Sequence, residues 1–186
     1  MKNYIVIIGI AIVVLVGAFV LWRNQVKSKS PEDGVDFVEG NLKIHVFYNR
    51  PYKKGRVIFA EDGLVPFGKI WRTGANEPTY LETNKILIVK GQELKPGKYS
   101  IWTIPNEQSW TVIFNSDYPS WGINFNGEAN HDPKSDVVKV EVPTAIIGTE
   151  IEQFTIAIER IDEEELELIF QWDKTLVAVP FIVVGQ

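Results

Sequence analysis

The chain has 186 residues, a formal net charge of −5 and 45% hydrophobic residues, which suits one folded domain plus an accessory segment. It contains no cysteine, which excludes disulfides, cysteine-ligated zinc, a thiol nucleophile and the lipid-modified cysteine of a lipoprotein. The acidic balance argues against a nucleic-acid partner, and neither a phosphate loop nor a dinucleotide-binding fingerprint occurs.

The amino-terminal segment is the clearest signal in the sequence. Residues 4–22 contain no charge, and as a helix they would extend about 28 Å, close to the hydrocarbon thickness of a bilayer. Tyr4 and Trp22 bracket the run, as interfacial aromatic residues do. Residues 16–18 weakly resemble a signal-peptidase site, but the apolar run continues beyond them. We therefore predict that residues 1–24 form one uncleaved transmembrane helix, with a cleaved signal peptide as the alternative.

The charges around this segment give conflicting indications of its orientation. Lys2 precedes the span, whereas Arg23, Lys27 and Lys29 follow it, and the positive-inside rule would keep the remainder of the chain in the cytoplasm. A single amino-terminal apolar segment before one compact domain is instead the usual layout of an exported, tethered domain. We predict a single-pass membrane protein whose domain is extracytoplasmic.

The sequence after the anchor predicts a short linker and an all-β domain. Residues 25–36 are polar, contain Ser, Pro and Gly, and show no hydrophobic period, so we interpret them as a linker. From residue 37 to 186 the hydrophobic period is two, which indicates strands of an antiparallel β-sandwich or jelly-roll-like domain. The alternating segments are 42–48, 137–142, 154–159, 166–172 and 174–184.

Several motifs in the domain resemble a known bacterial family. They lie at residues 49–51, 54–56, 58–59, 64–77, 97–100, 103–105, 110–115, 121–122 and 172–174. Together they are similar to the domain of unknown function 2911 (DUF2911) family, over roughly Phe37 to Val183. Members of that family commonly carry an amino-terminal signal or anchor, so the resemblance implies export. It implies no activity, and the function stays unknown at this point.

A basic segment interrupts the otherwise acidic domain. Three arginines, Arg50, Arg56 and Arg72, fall in a stretch where basic residues outnumber acidic ones. The guanidinium group offers a rigid set of donors that suits carboxylate, phosphate or sulfate. We therefore predict a small-anion site formed by these arginines, with Trp71 or Trp121 as a stacking face. The alternative is that the arginines form structural ion pairs with the acidic remainder.

Asn76 and Glu77 complete the candidate ligand-binding set because they closely follow Arg72. Glu77 is interpreted as a buried ion-pair partner of Arg72, since a buried charge needs one. The alternative role is a general base near the ligand. Pro78 favours an extended backbone at Glu77.

The polar residues elsewhere do not predict a metal site or a cofactor. Oxygen-bearing side chains recur at alternate positions in residues 124–132, but the pattern matches a calcium loop only in part, and a polar connection is favoured. His45 and His131 lack zinc-site spacing. We expect no bound metal and no cofactor.

The aromatic residues and carboxylates leave three classes of function open. Turn signals at residues 95–97 and 106–108 bracket a further strand that holds Trp102. Trp102, Trp110 and Trp172 are assigned to strands and to the core, whereas Trp121 lies in a loop where it could bind a glycan. The favoured function is a membrane-tethered binding or structural domain. One alternative is a hydrolase of anionic or sugar substrates that uses Glu77 with Asp173 or a histidine. The other is a protein-interaction module that uses a sheet edge.

Overall fold

The computed structural model describes residues 2–185 and begins with one long helix, α1, Lys2–Ser28. From Ile7 to Ser28 this helix is long and apolar enough to cross a membrane, a property that a signal sequence near the amino terminus shares. Its side chains from Ile7 to Gln25 are exposed, so they form no part of a protein core. The predicted apolar amino-terminal helix is confirmed.

Residues 25–36 differ from the predicted linker. Helix α1 continues to Ser28, and strand β1, Glu32–Glu39, pairs antiparallel with β2, Leu42–Asn49, along its whole length. Only residues 29–31 separate the helix from the domain. Polar residues are tolerated in β1 because it is an edge strand with one exposed face, and its apolar Val35 and Phe37 pack against the core.

The remaining elements are short strands followed by two long ones. They are β3 (Phe59–Ala60), β4 (Val65–Pro66), β5 (Thr79–Thr83), β6 (Leu87–Val89), β7 (Gln92–Leu94), β8 (Gly97–Pro105), β9 (Ser109–Asn115), a 3-10 turn (Pro133–Ser135), β10 (Asp136–Arg160) and β11 (Glu165–Val183). Nine strands follow the order β1-β2-β5-β8-β9-β10-β11-β6-β7, and β3 pairs separately with β4. Every pair in the nine-stranded order is antiparallel, which confirms the predicted all-β domain.

Strand β10 connects the two halves of this order. Its first part, Asp136 to Pro143, pairs with β9, and from Thr144 onward it pairs with β11. The register shifts on both sides of Ile151, where the ladder is irregular. Predicted segments 137–142 and 154–159 therefore belong to one strand. The last two predicted segments also share one strand, since residues 166–172 and 174–183 lie in β11.

An aromatic cluster fills the core beneath the candidate site. Trp71 stacks on Trp172 with ring centroids 6.0 Å apart and an interplanar angle of 19°, and Phe154 packs edge-on against both. Trp110 and Phe59 extend the cluster. Trp102, Trp110 and Trp172 are buried as predicted, and Trp71 joins them, so its ring position is set by core packing.

Candidate functional site

The loop that carries Arg72 is fastened to the sheet at both ends. At its start, Trp71 exchanges backbone hydrogen bonds with Thr103 of β8, at N–O distances of 2.7 and 2.9 Å. At its end, the backbone N–H of Thr79 donates to the carbonyl of Arg72 over 3.2 Å. These backbone hydrogen bonds fix the two ends of the loop in place.

Two buried residues of this loop adopt the left-handed backbone conformation. The φ angles of Thr73 and Asn76 are 54° and 57°, and a positive φ is unusual for any residue with a β-branched side chain such as Thr73. Thr73 donates a side-chain hydrogen bond to the hydroxyl of Thr103 over 3.1 Å, which helps hold this conformation. Strained backbone persists where the surroundings over-determine it, and such residues concentrate at functional sites.

Arg72 is the most unusual side chain in the loop. Its Nε atom is buried and has no hydrogen-bond partner, and none of the described residues forms an ion pair with its guanidinium group. Burial lowers the pKa of Arg72, but a guanidinium group keeps its proton in proteins. The side chain is thus a positive charge placed largely out of water without a counter-ion, an arrangement that costs stability.

Two adjoining cavities meet at Arg72, and both are also lined by Trp71, Leu64 and Val65. The larger one, about 590 Å³, is called the basic cavity here because every ionisable side chain in its lining is basic. Those side chains are Lys29, Lys54, Arg56 and Arg72. The smaller cavity, about 380 Å³, has Lys69, Arg72 and one carboxylate, Glu128, in its lining. Arg72 therefore borders an electropositive space.

Four of the predicted ligand-binding residues line the basic cavity: Arg56, Trp71, Arg72 and Asn76. Arg56 lies at the exposed rim, where its Nε donates to the carbonyl of Lys53 over 3.0 Å. The indole N–H of Trp71 is used inside the loop, where it donates to the carbonyl of Gly74 over 2.9 Å. Trp71 can therefore offer a ligand its apolar ring but no hydrogen bond.

Arg50 lies outside the basic cavity and connects strands β1 and β10. It pairs with Asp33 of β1 at 2.8 Å and donates to the carbonyl of Phe154 at 3.1 Å and to the hydroxyl of Thr155 at 3.0 Å, both in β10. These contacts satisfy its guanidinium group within the protein. The structure thus gives Arg50 the ion-pair arrangement that was the alternative prediction.

Glu77 does not pair with Arg72, in contrast to the interpretation from sequence. Its carboxylate lies 3.1 Å from Nη2 of Arg23 and 2.9 Å from Nζ of Lys27, both at the end of α1, and accepts from Asn49. Burial tends to raise the pKa of Glu77, but the bonds from Lys27 and Arg23 outweigh it and the pKa is lowered. Residues 54 positions apart cannot be matched by sequence spacing, so the interpretation chose the nearest arginine instead.

Trp121 is separated from the basic cavity. It is half-buried and lines a different groove together with Phe19 and Trp22 of α1. Its neighbour Gly122 does approach the site, since the Gly122 N–H donates to the carbonyl of Asn76 over 2.9 Å. Trp121 is therefore not positioned to stack on a ligand that Arg72 holds.

Sequence reasoning missed Lys29 and Gly122. In the sequence, Lys29 is one of the basic residues that follow the apolar span. Only the folded chain brings it to the basic cavity. Gly122 gave a signal because it belongs to one of the family-like motifs, but a sequence motif does not state which side chain a glycine contacts.

The polar loop and the histidines form local structure. The Asn124 side-chain oxygen accepts the backbone N–H groups of Asn126 and Glu128, so it closes its own turn. His45 and His131 are hydrogen-bonded to Asp36 and Asp136, at 2.8 and 2.7 Å. Within residues 2–185, no group of three or more His, Asp or Glu side chains is arranged to hold a metal ion.

Comparisons with known proteins give a family and no activity. A family model described as protein of unknown function (DUF2911) matches residues 30–181, which is most of the chain. No curated protein matches the chain, and no solved structure matches it either. The matched residues include the Arg72 loop and the domain portion of the basic cavity.

Proposed function

Because the chain belongs to the DUF2911 family, whose function is unknown, we propose its function from the site itself: it is a membrane-tethered domain that binds a small anionic ligand beside Arg72. One observation carries the proposal. The buried Nε of Arg72 has no partner, and the cavity beside it is lined by basic and not acidic side chains. An anion bound in this cavity would supply the counter-charge that Arg72 lacks.

The lining of the basic cavity indicates the class of ligand. A guanidinium group suits the oxygens of a phosphate, sulfate or carboxylate group, and Lys29, Lys54 and Arg56 add positive potential that attracts such a group. Leu64, Val65 and the ring of Trp71 form an apolar part of the wall. A cavity of about 590 Å³ holds a small organic molecule. The proposed ligand is an organic anion with one charged and one apolar end.

The position of α1 supports the proposal of a membrane tether. Its apolar side chains are exposed, and its basic end is held to the domain through Glu77. Val26, which lines the basic cavity, lies four residues beyond Trp22, a rise of about 6 Å along a helix. That rise is comparable to the headgroup layer of about 5 to 8 Å on each side of a bilayer. In this proposal the cavity opens at the surface of the membrane.

We further propose that the domain faces the extracytoplasmic side, as expected for one compact domain behind a single amino-terminal span. The chain has no cysteine, so Glu163→Cys, in the exposed β10–β11 turn, would be its single thiol. Labelling of this thiol in intact cells by a membrane-impermeant maleimide supports the proposed side. Labelling only after lysis places the domain in the cytoplasm.

The test of anion binding is thermal unfolding of the full chain in lipid nanodiscs. A ligand that binds only the native state raises the free energy of unfolding, by about 2.7 kcal/mol when its concentration is a hundred times Kd. The thermal midpoint rises with it. Inorganic phosphate, sulfate, acylated carboxylates and phosphates, and neutral sugars form the panel. At least one anion is expected to raise the midpoint, and Arg72→Met is expected to abolish the increase.

Arg160→Met is the matched control, because Arg160 pairs with Glu39 away from the cavity and its loss removes one charge of the same kind. The increase should survive in this variant. If no anion shifts the midpoint, or if Arg72→Met and Arg160→Met reduce the shift equally, the proposed site is wrong.

The hydrolase alternative has less support. A hydrolase of this kind needs two convergent titratable groups in a cavity. Glu77 is bound to the end of α1, and Asp173 pairs with Lys53 at 2.7 Å, so neither carboxylate lines either cavity at Arg72. A binding role therefore fits the arrangement better.

A further inference from the structure

The loop between β9 and the 3-10 turn presents an aromatic residue to solvent. Phe125 is fully exposed, and Tyr118 is half exposed, at 52% of its surface. A single exposed apolar side chain is common, but a contiguous group of them marks a surface that contacts something. This loop, residues 118–130, is called the aromatic loop below.

The exposure of Phe125 is built into the fold of the aromatic loop. Ile123 and Ala129 form an antiparallel bridge, and the Asn124 N–H donates to the carbonyl of Glu128 over 2.8 Å. The Asn124 side chain closes the turn from inside, and Gly127 supplies a positive φ of 81°. These bonds place Phe125 at the tip of a closed turn. The Phe125 ring could therefore enter an apolar environment without any rearrangement of the loop.

The aromatic loop lies beside the end of the apolar helix. A groove of about 710 Å³ separates them, with Phe19, Trp22 and Arg23 on the α1 side. On the other side lie Trp121, Ile123 and Phe125. Trp22 ends the uncharged run of α1, so it marks the depth at which the helix leaves the hydrocarbon. The aromatic loop reaches that same depth.

We propose that the aromatic loop is a second membrane contact, which inserts Phe125 into the interface of the leaflet that Trp22 occupies. The inference rests on the proposed membrane tether. Lipid is the occupant because the groove is continuous with helix side chains that the tether places in the bilayer, so acyl chains fill it directly. Aromatic rings favour this region, where an apolar body meets hydrocarbon and the polar groups stay hydrated.

A second contact has a consequence for the basic cavity. The tether keeps the aromatic loop close to the bilayer, so its insertion is an intramolecular step with a high effective concentration. Two contacts restrict the tilt of the domain more than the attachment of α1 through Glu77 does alone. The mouth of the basic cavity is then held at the headgroup layer.

The experiment measures the depth of single spin labels in the full chain. Nitroxide labels are placed at Asn126→Cys, beside Phe125, at Leu15→Cys within the helix and at Glu163→Cys in the distant turn. The chain is reconstituted in phosphatidylcholine–phosphatidylglycerol vesicles. Power saturation compares collisions with oxygen, which concentrates in lipid, and with a nickel complex, which stays in water. The oxygen-to-nickel ratio at position 126 is expected to exceed that at position 163 several-fold.

A second variant tests the cause of this immersion. Phe125→Ser combined with Asn126→Cys removes the aromatic ring and keeps the label, and the ratio at position 126 should fall to that of position 163. Both changes lie on the exposed tip of the turn, so we expect the domain to stay folded. The thermal midpoint of each variant checks this.

The three labels separate the possible failures. If position 15 is immersed but position 126 is as accessible to nickel as position 163, the aromatic-loop inference is wrong and the tether stands. If position 15 is also in water, the tether and the inference both fail. If Phe125→Ser leaves the ratio at position 126 unchanged, Phe125 is not the inserting residue and the inference is overturned. None of these outcomes bears on anion binding, which the Arg72→Met comparison tests.

Discussion

Gly122 packs directly against the side chain of Arg72. A Cβ atom at position 122 would overlap with Cδ of Arg72 and would lie 2.9 Å from the carbonyl oxygen of Asn76. The Gly122 N–H also donates to that carbonyl, so the backbone of the aromatic loop closes over the stem of Arg72. This contact limits the positions that the Arg72 side chain can take.

Gly122→Ala is therefore expected to weaken anion binding about tenfold, because the displaced Arg72 loses alignment with the ligand. Overpacking should also destabilise the domain by about 1 to 3 kcal/mol. Titration of the full chain in nanodiscs with the best anion of the panel measures the affinity. Gly148→Ala is the control, since a Cβ there would meet nothing within 4 Å. An unchanged affinity in Gly122→Ala would contradict this account of Arg72 positioning.

Arg72→Met should stabilise the ligand-free protein. The substitution replaces a largely buried, unpartnered charge by an apolar side chain of similar length, and leaving a buried donor unsatisfied costs about 1 to 3 kcal/mol. We expect the free energy of unfolding to rise by about 1 kcal/mol while anion binding is lost. Urea unfolding without added anion measures the change. A loss of stability instead would mean that Arg72 serves the fold.

Arg50→Met should have the opposite pair of effects. It removes the contacts to Asp33, Phe154 and Thr155 that join β1 to β10. Hydrogen bonds of charged groups contribute about 1.5 to 3 kcal/mol, so a loss of about 2 kcal/mol is expected. The anion-dependent increase in the thermal midpoint should be unchanged. Its disappearance would show that Arg50 belongs to the ligand site after all.

Glu77 should make the attachment of α1 sensitive to acid. Its folded-state pKa is lowered below the ordinary 4.5, so its charged form stabilises the fold fully above that value. The stabilisation is lost as the pH falls through the lower, folded-state pKa. Glu77→Gln should therefore lower the thermal midpoint at pH 7, and the difference from the parent chain should close below about pH 4.5.

The control for this measurement is Glu163→Gln, a change in the exposed turn of β10 and β11 where the described residues offer the carboxylate no ion pair. It should show no difference from the parent at any pH. If the midpoint of Glu77→Gln stays below that of the parent chain by the same amount down to pH 3, the effect of the substitution comes from packing and not from the lost charge.

Local patterns in the sequence were sufficient for the class of the fold. An uncharged run from residue 4 to 22 predicts an apolar helix because helix length and hydropathy are properties of one segment. Alternation predicts strands because successive side chains point to opposite faces. The same reasoning could not show that residues 137–142 and 154–159 share one strand. Strand β10 changes its partner from β9 to β11 between them, and the alternation of apolar and polar residues is interrupted there although the backbone stays extended.

The sequence alone determined an apolar amino-terminal helix, an antiparallel β domain, the family, and a basic segment that contains Arg72. Only the tertiary structure decided which charges meet. Arg50 and Arg72 belong to one basic stretch, yet contacts from distant strands satisfy the first and leave the second unpartnered. Glu77 likewise pairs with the end of α1. Periodicity reports the environment of one segment, whereas an ion pair depends on the distance between two segments, which the packing of the whole domain sets.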